Sequence, residues 1–159
     1  MPNQNLPSHW LVCPVTFIST QDGNERDIMT ATAMFVAENE NLVVVSVARG
    51  HLTEKLMEKA RGFTLVVAAE DQADLALKLG SVKGQDADKF EKFKIKPVAA
   101  RPGKPIVPEG SSAWMDCETA AQHESGDYLL IVAKVVDQED LGRPPLLWQK
   151  DRFFALKSA

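Results

Sequence analysis

Cysteine and histidine are scarce in this 159-residue chain, and their scarcity removes several classes of function. Cys13 and Cys117 are too few for a disulfide framework, and no Cys-x-x-Cys motif is present, which favours a reducing compartment. His9, His51 and His123 lie far apart, and no His-Glu-x-x-His motif occurs. The sequence therefore predicts no metal site.

Other absences narrow the choice further. No run approaches the roughly 18 continuous apolar residues of a membrane-spanning helix, and the opening MPNQNLPSHW lacks the layout of a secretory signal. We therefore expect no membrane association and a cytoplasmic location. Eighteen basic against 22 acidic residues give a net charge of -4, which argues against nucleic-acid binding. The Gly-x-Ser-x-Gly motif of serine hydrolases is absent, and so are the Walker and Gly-x-Gly-x-x-Gly motifs of nucleotide-binding folds. These classes of function therefore have little support.

What the sequence does contain is a series of short β-type runs. Apolar and β-branched residues recur at strand spacing, and the first three runs are joined by short polar turns such as 21–24 with its Asp-Gly. The predicted strands cover residues 10–20, 27–35, 42–48, 63–69, 113–119, 128–136 and 146–156. Residues 94–112 hold four prolines and two glycines, which predicts a long loop or an edge segment.

Short helices separate some of these strands. Thr53 is the predicted N-cap of the first helix, and Gly62 the left-handed residue that ends it. A second helix is expected over 71–79, closed by Gly80, and Asp86 is a candidate cap for a further short turn. Strict alternation of strand and helix is missing, which argues against a doubly wound parallel sheet.

We therefore predict a mainly β fold, an antiparallel barrel with two or three short inserted helices. The length suits a single domain over 1–159, with residues 1–9 forming an N-terminal arm that is flexible or contacts a partner. A composition of 45% hydrophobic and 25% charged residues is ordinary for a globular protein.

Polar residues cluster on the second and third strands. Thr30 and Thr32 share a strand face about 7 Å apart, Ser46 lies on the next strand, and Arg49 and Thr53 flank the helix start. Hydroxyls, free backbone N–H groups and an arginine are the parts of an anion site, and a phosphate is one hypothesis for its ligand. The alternative is that the threonines are strand formers facing water, that Thr53 only caps its helix, and that Arg49 is a solvated charge.

Five segments in order carry a resemblance to a known family: "VTFISTQDGNERDIMTATAMF", "LVVVSVARGHLTEKLMEKARGFTLVV", "DADKFEKFKI", "PIVPEGSSAWMDCETAAQHESGDYLLIVAKVVD" and "PLLWQKDRFFAL". Over roughly residues 10–157 the chain resembles the flavin reductase-like family of FMN-binding split barrels. The resemblance implies a split β-barrel that forms a homodimer, with FMN bound in a groove at or near the subunit interface.

The resemblance also implies which residues contact the flavin. The segment 27–33 is similar to the family strand that passes along the flavin, residues 46–53 are similar to its ribityl and phosphate end, and 88–90 matches an Asp-Lys-Phe signature near the groove. The candidate cofactor-binding residues are therefore Thr30, Ala31, Thr32, Ser46, Ala48, Arg49, Gly50, His51, Thr53 and Lys89. No catalytic side chain is predicted, because the cofactor carries the hydride chemistry.

The chain departs from the family pattern at several of these segments. Asp27 stands where Asn is common, Ala33 where an aromatic residue is common, and Glu40-Asn41 where relatives tend to have Pro-Pro. Tyr128 replaces a family histidine that is suggested to lie near the flavin and nicotinamide, and tyrosine does not titrate near neutral pH.

Three functional hypotheses follow. The resemblance implies an FMN-dependent oxidoreductase that takes electrons from NAD(P)H and passes them to an acceptor, such as a partner oxygenase. The first alternative is an FMN-binding electron carrier reduced by a partner protein, which Tyr128 favours. The second is a barrel of this fold that binds another ligand or none.

Overall fold

A computed structural model describes residues 6–159 as a β-barrel with three short helices and a small second sheet. The first five residues of the predicted N-terminal arm lie outside the described residues; Pro7–His9 form a 3-10 turn. The helices are α1 (Leu52–Ala60), α2 (Ala73–Ser81) and α3 (Lys89–Lys92). The strands are β1 (Cys13–Pro14), β2 (Thr16–Asp22), β3 (Glu25–Phe35), β4 (Leu42–Ala48), β5 (Gly62–Val67), β6 (Ala113–Ser125), β7 (Tyr128–Asp140), β8 (Leu146–Gln149) and β9 (Arg152–Ala155).

Six antiparallel strands close the barrel in the order β2-β3-β4-β7-β6-β5. The predicted meander of the first three long strands is present as β2-β3-β4, so the mainly β, antiparallel barrel is confirmed. A separate sheet of order β1-β8-β9 lies outside the barrel. It follows that the single C-terminal strand predicted over 146–156 is a hairpin, in which Trp148 pairs with Phe153.

Alternation along the strands decides which side chains enter the barrel. On β4, Val43, Val45 and Val47 are buried, whereas the residues between them are half-buried on the outer face. A second apolar cluster lies outside the barrel, where Phe17 and Val66 pack with Leu79 of α2 and Phe90 of α3. Burying apolar groups on both faces holds the helices against the barrel wall.

Helix α1 begins and ends at other residues than expected. Its N-cap is His51, which makes no side-chain capping bond, and Thr53 lies in the first turn with its hydroxyl directed into the protein. The left-handed C-cap residue is Arg61, with φ of 54°. Gly62 instead opens β5, and its missing side chain leaves room for the Cys117 carbonyl on the neighbouring strand.

The other two predicted helix boundaries were also wrong. Gly80 lies inside α2, which continues to Ser81. The cap of the short turn is Asp88 and not Asp86: its carboxylate accepts from the Phe90 N–H at 2.9 Å and from Arg26 Nη2 at 2.9 Å. Partial burial raises the pKa of Asp88, but the hydrogen bonds from Arg26 and from the helix amides outweigh it and leave the pKa below its usual value.

A buried ion pair joins β3 to α1 and α3. Lys89 Nζ lies 3.3 Å from Asp27 Oδ1 and donates to the Ile28 carbonyl at 2.7 Å, and both charged side chains are at most 3% exposed. Thr53 donates to Asp27 Oδ2 at 2.6 Å. Gly84 packs so closely that a Cβ there would lie 2.5 Å from the carboxylate. This cluster fixes the first turn of α1 and the start of α3 relative to β3.

Residues 94–112 form an irregular segment without a helix or long strand, as predicted, tied down by a bridge between Pro97 and Pro108. Arg101 anchors it by an ion pair of 2.5 Å to Asp116 on β6, and its guanidinium lies 3.8 Å from the centre of the Trp114 ring. Among the described residues there is no helix that is long and apolar enough to cross a membrane.

We predict that Gly84→Ala lowers the free energy of unfolding by about 1–3 kcal/mol, because the added methyl group forces the Asp27 carboxylate to shift. Chemical denaturation measures this. Gly80→Ala is the matched control: its Cβ meets nothing within 4 Å, and inside a helix the exchange is expected to stabilise by about 0.5–1 kcal/mol. Equal effects of the two variants would contradict the close packing on Asp27.

Candidate functional site

A cavity of about 400 Å³ lies between β3, α2 and the outer sheet, and we call it the β3–α2 cavity. Its walls come from four segments that are distant in sequence. The lining residues are Cys13, Pro14, Val15, Thr30, Ala31, Thr32, Ala76, Leu77, Gly80, Ser81, Trp148 and Phe153. The volume falls in the range of roughly 300–1,000 Å³ typical of small-molecule sites, and the lining is mostly apolar with a few polar groups.

The predicted flavin strand forms one wall of this cavity. Thr30, Ala31 and Thr32 all line it. Thr30 Oγ1 donates to the Ala76 carbonyl of α2 at 2.7 Å, so this hydroxyl holds α2 against the strand and keeps lone pairs for a ligand. The Ala31 carbonyl accepts from Thr16 Oγ1 at 2.6 Å within the barrel. Thr32 is exposed and free of side-chain bonds that would prevent it from contacting a ligand.

The opposite wall was not predicted from the sequence. Trp148 and Phe153 face each other across the β8–β9 hairpin and both line the cavity, as does Cys13 on β1. The hairpin turns at Lys150 and Asp151, which both have positive φ. Neither residue is the Asn or Gly that usually marks such a turn in a sequence, so the hairpin was missed. On α2, Leu77 is 62% exposed, which is high for a leucine on a helix that packs against the barrel.

Part of the predicted set continues from this cavity along the outer face of the barrel. Ser46 lies directly across from Thr32 on the neighbouring strand, and two residues further Ala48 pairs with Tyr128. Residues paired in this way have side chains on the same face. Beyond Thr32 and Ser46, β3 and β4 no longer pair, because α1 and Lys89 take up that side of β3.

Arg49 lines a second, polar pocket of about 190 Å³ that we call the α1 pocket, and Gly50 follows Arg49 in the chain without lining it. Arg49 Nη2 lies 3.2 Å from Glu124 Oε1, so its guanidinium is engaged with β6. Gly50 has φ of +82°, and its N–H donates to Glu54 Oε2 at 2.5 Å. Its carbonyl accepts from Gln85 Nε2 at 2.9 Å.

The remaining predicted residues play structural parts here. His51 is the half-buried N-cap of α1. Thr53 and Lys89 are buried in the cluster with Asp27, so neither side chain reaches the β3–α2 cavity wall. The structure thus brings Thr30, Ala31 and Thr32 to one cavity, places Ser46 and Ala48 beside it, and separates the others.

The arrangement suits a flat, largely apolar ring with polar edges. Aromatic and aliphatic groups cover one side of the β3–α2 cavity, and hydroxyls and strand backbone line the other. No group of three or more residues among 6–159 is placed to hold a metal ion.

Comparison with known proteins finds a family match over most of the chain. Residues 9–157 match the family model described as flavin reductase like domain. The chain is 33% identical over 120 residues to the Escherichia coli protein YddH, and it covers 63% of that protein's length with 70% of its own. It is 28% identical over 133 residues to a flavin reductase of Pseudomonas putida, with 81% of this chain and 74% of the relative aligned.

Two further relatives extend the comparison. A reductase subunit of a flavin-dependent monooxygenase from Mycobacterium tuberculosis, HsaB, is 30% identical over 99 residues, which cover 60% of this chain and half of that protein. A crystal structure of the FMN-binding protein from Thermus thermophilus with bound p-hydroxybenzaldehyde superposes with a TM-score of 0.81 at 25% identity, covering 98% of this chain and 93% of that one.

The two thiols differ in their surroundings, which gives a direct test of the cavity. Burial, aided by the nearby Asp116 charge, raises the pKa of Cys117 to about 12 and leaves almost no reactive thiolate at neutral pH. Cys13 is only half-buried and lines the β3–α2 cavity.

We expect a maleimide to modify one thiol of the native protein, that of Cys13. The modification should be absent from the Cys13→Ser variant and present in the Cys117→Ser variant, and mass spectrometry counts the adducts. Rapid modification of Cys117 in the folded protein would contradict the described packing.

Proposed function

The chain belongs to the flavin reductase-like family, and from that premise we propose that it binds FMN in the β3–α2 cavity and passes electrons from NAD(P)H to an acceptor. The observation that carries the proposal is the wall formed by Thr30, Ala31 and Thr32, the segment that the sequence resemblance associates with the flavin. The family match covers all six strands of the barrel and the three strands of the outer sheet.

The residues present fit a flavin. The cavity offers an apolar surface with two aromatic side chains for a ring system, and hydroxyls of Thr30, Thr32 and Ser81 for its polar edge. The outer strip from Ser46 to Ala48 leads away from the cavity towards the start of α1, a path for the ribityl chain. When bound, FMN supplies hydride and single-electron transfer; the protein holds the ring, limits water and presents hydrogen-bond partners.

The acceptor that fits best is a partner protein or a flavin consumed by one. The Mycobacterium tuberculosis relative is described as the reductase subunit of a flavin-dependent monooxygenase, and the same division of labour is proposed for this chain. The alternative, an FMN-binding electron carrier with little NAD(P)H activity of its own, is favoured by Tyr128. This side chain is 52% exposed at the start of β7, where the family histidine is expected.

A homodimer is part of the proposal. Met34, Phe35 and Val36, at the end of β3, are 62%, 64% and 45% exposed, and Trp10 and Leu11 are exposed beside the 3-10 turn. Exposed aromatic and methionine side chains are enriched in protein interfaces. A second copy of the chain is the proposed occupant, and sedimentation at micromolar concentration distinguishes a dimer from a monomer.

We expect FMN to raise the Tm of the purified protein and to slow maleimide modification of Cys13. A ligand that binds only the native state stabilises it, by about 2.7 kcal/mol at 100 times its Kd. A flavin in the β3–α2 cavity also covers Cys13. The Cys117→Ser variant gives a single thiol for this measurement. A rise in Tm without protection of Cys13 would place the flavin elsewhere, and no effect on either would refute FMN binding.

Rapid mixing of the FMN complex with NADH and with NADPH separates the two functions. We expect flavin absorbance to bleach within seconds for an NAD(P)H-dependent reductase, because no partner is then needed for reduction. If the flavin stays oxidised for many minutes with both nucleotides, while dithionite reduces it, the electron-carrier alternative holds.

The Tyr128→His variant tests the family position directly, and it is expected to raise the rate of bleaching.

A further inference from the structure

The α1 pocket contains more negative than positive charge. Among the described residues that line it, Arg49 is the one basic residue, whereas Glu54, Glu58 and Glu124 are acidic. The formal charges of these four side chains sum to -2 at neutral pH. Since like charges repel, and the proposed flavin tail is itself an anion, a free pocket of this composition is a poor place for phosphate.

Two of the three carboxylates also occupy the donors that a phosphate needs. Glu54 Oε2 accepts from the Gly50 N–H at 2.5 Å, and Glu124 Oε1 lies 3.2 Å from Arg49 Nη2. Glu58 lines the same pocket with no hydrogen bond or ion pair to either donor. The backbone amide is therefore satisfied within the chain, and one arm of the guanidinium is engaged by Glu124.

We propose that Glu54 and Glu124 compete with the phosphate of FMN, and so reduce the protein's preference for FMN over the uncharged-tail flavin riboflavin. The inference rests on the proposed function, since it takes the flavin tail to run along Ser46 and Ala48 and its phosphate to lie at the start of α1, where Arg49 and Gly50 follow β4. Its consequence is that the β3–α2 cavity supplies most of the affinity, and that FMN is held loosely enough to exchange with solvent.

Displacing the two carboxylates from Arg49 and Gly50 costs little free energy, so they compete with a phosphate but do not block its binding. The Arg49 and Glu124 side chains are 45% and 69% exposed, and exposed ion pairs contribute little to stability. Glu54 lies in the first turn of α1, where a carboxylate also stabilises the helix, so its contact has a structural share. A test must separate that share from competition.

The ratio of the riboflavin Kd to the FMN Kd provides this separation. Titration of each flavin, followed by its fluorescence at fixed ionic strength, gives both constants. We expect Glu54→Ala and Glu124→Ala each to raise the ratio about threefold or more, because each frees one phosphate donor. A purely structural role of Glu54 would weaken both flavins together and leave the ratio unchanged.

Glu58→Ala is the matched control, since it removes the same charge from the same pocket and frees no donor. We expect it to raise the ratio less than either test variant. In addition, Arg49→Ala should cancel the gain of Glu124→Ala and leave that of Glu54→Ala in place. If wild type binds neither flavin, the proposed function fails. If it binds both, and all three glutamate variants have the same ratio, only the competition is refuted.

Discussion

The buried ion pair between Asp27 and Lys89 is the contact on which the site depends. It lies on the part of β3 that does not pair with β4, and it links three segments that carry candidate residues. Thr53 of α1 donates to the same carboxylate, and Lys89 also satisfies the Ile28 carbonyl two residues before Thr30. Removing one partner of such a pair typically costs about 3–5 kcal/mol, because a buried charge is left uncompensated.

This cluster explains why residues that resemble a cofactor set have different tasks here. Lys89 and Thr53 hold the frame, and the threonines next to them on β3 line the cavity. The Thr30 hydroxyl in turn positions α2, because its hydrogen bond to the Ala76 carbonyl holds this helix as the adjacent wall of the cavity. A rigid frame behind an open cavity suits a cofactor whose own chemistry does the work, because the protein need only orient it.

Much of the fold could be predicted from the sequence, since strand alternation and short turns are local signals. The barrel and the meander of its first strands follow from β-branched runs such as 42–48. Helix ends were harder to place. Thr53 has the right residue type for a cap, but a buried carboxylate competes for its hydroxyl, and Arg61 adopts the left-handed conformation expected of Gly62. Asp88 rather than Asp86 caps α3 because Arg26 holds its second oxygen.

The site was predictable only in part, because local sequence signals do not show which distant segments meet. The resemblance pointed to 30–32, and the structure places these residues together on one wall. The facing wall comes from Cys13, Trp148 and Phe153, which are distant in sequence and meet only because β1 and β8 pair outside the barrel. Likewise, the spacing of Arg49 and Gly50 suggested a phosphate site, whereas their partners Glu54 and Glu124 are known only from the fold.

The central claim is that the flavin ring occupies the β3–α2 cavity, and the FMN Kd of a cavity-filling variant tests it most directly. Gly80 lines this cavity, and a side chain built there meets open space. Gly80→Phe should therefore raise the Kd at least about tenfold, or about 1.4 kcal/mol, without lowering the Tm of the free protein, whereas Gly80→Ala should bind FMN much like the wild type. A folded Gly80→Phe protein with wild-type affinity for FMN would contradict the account.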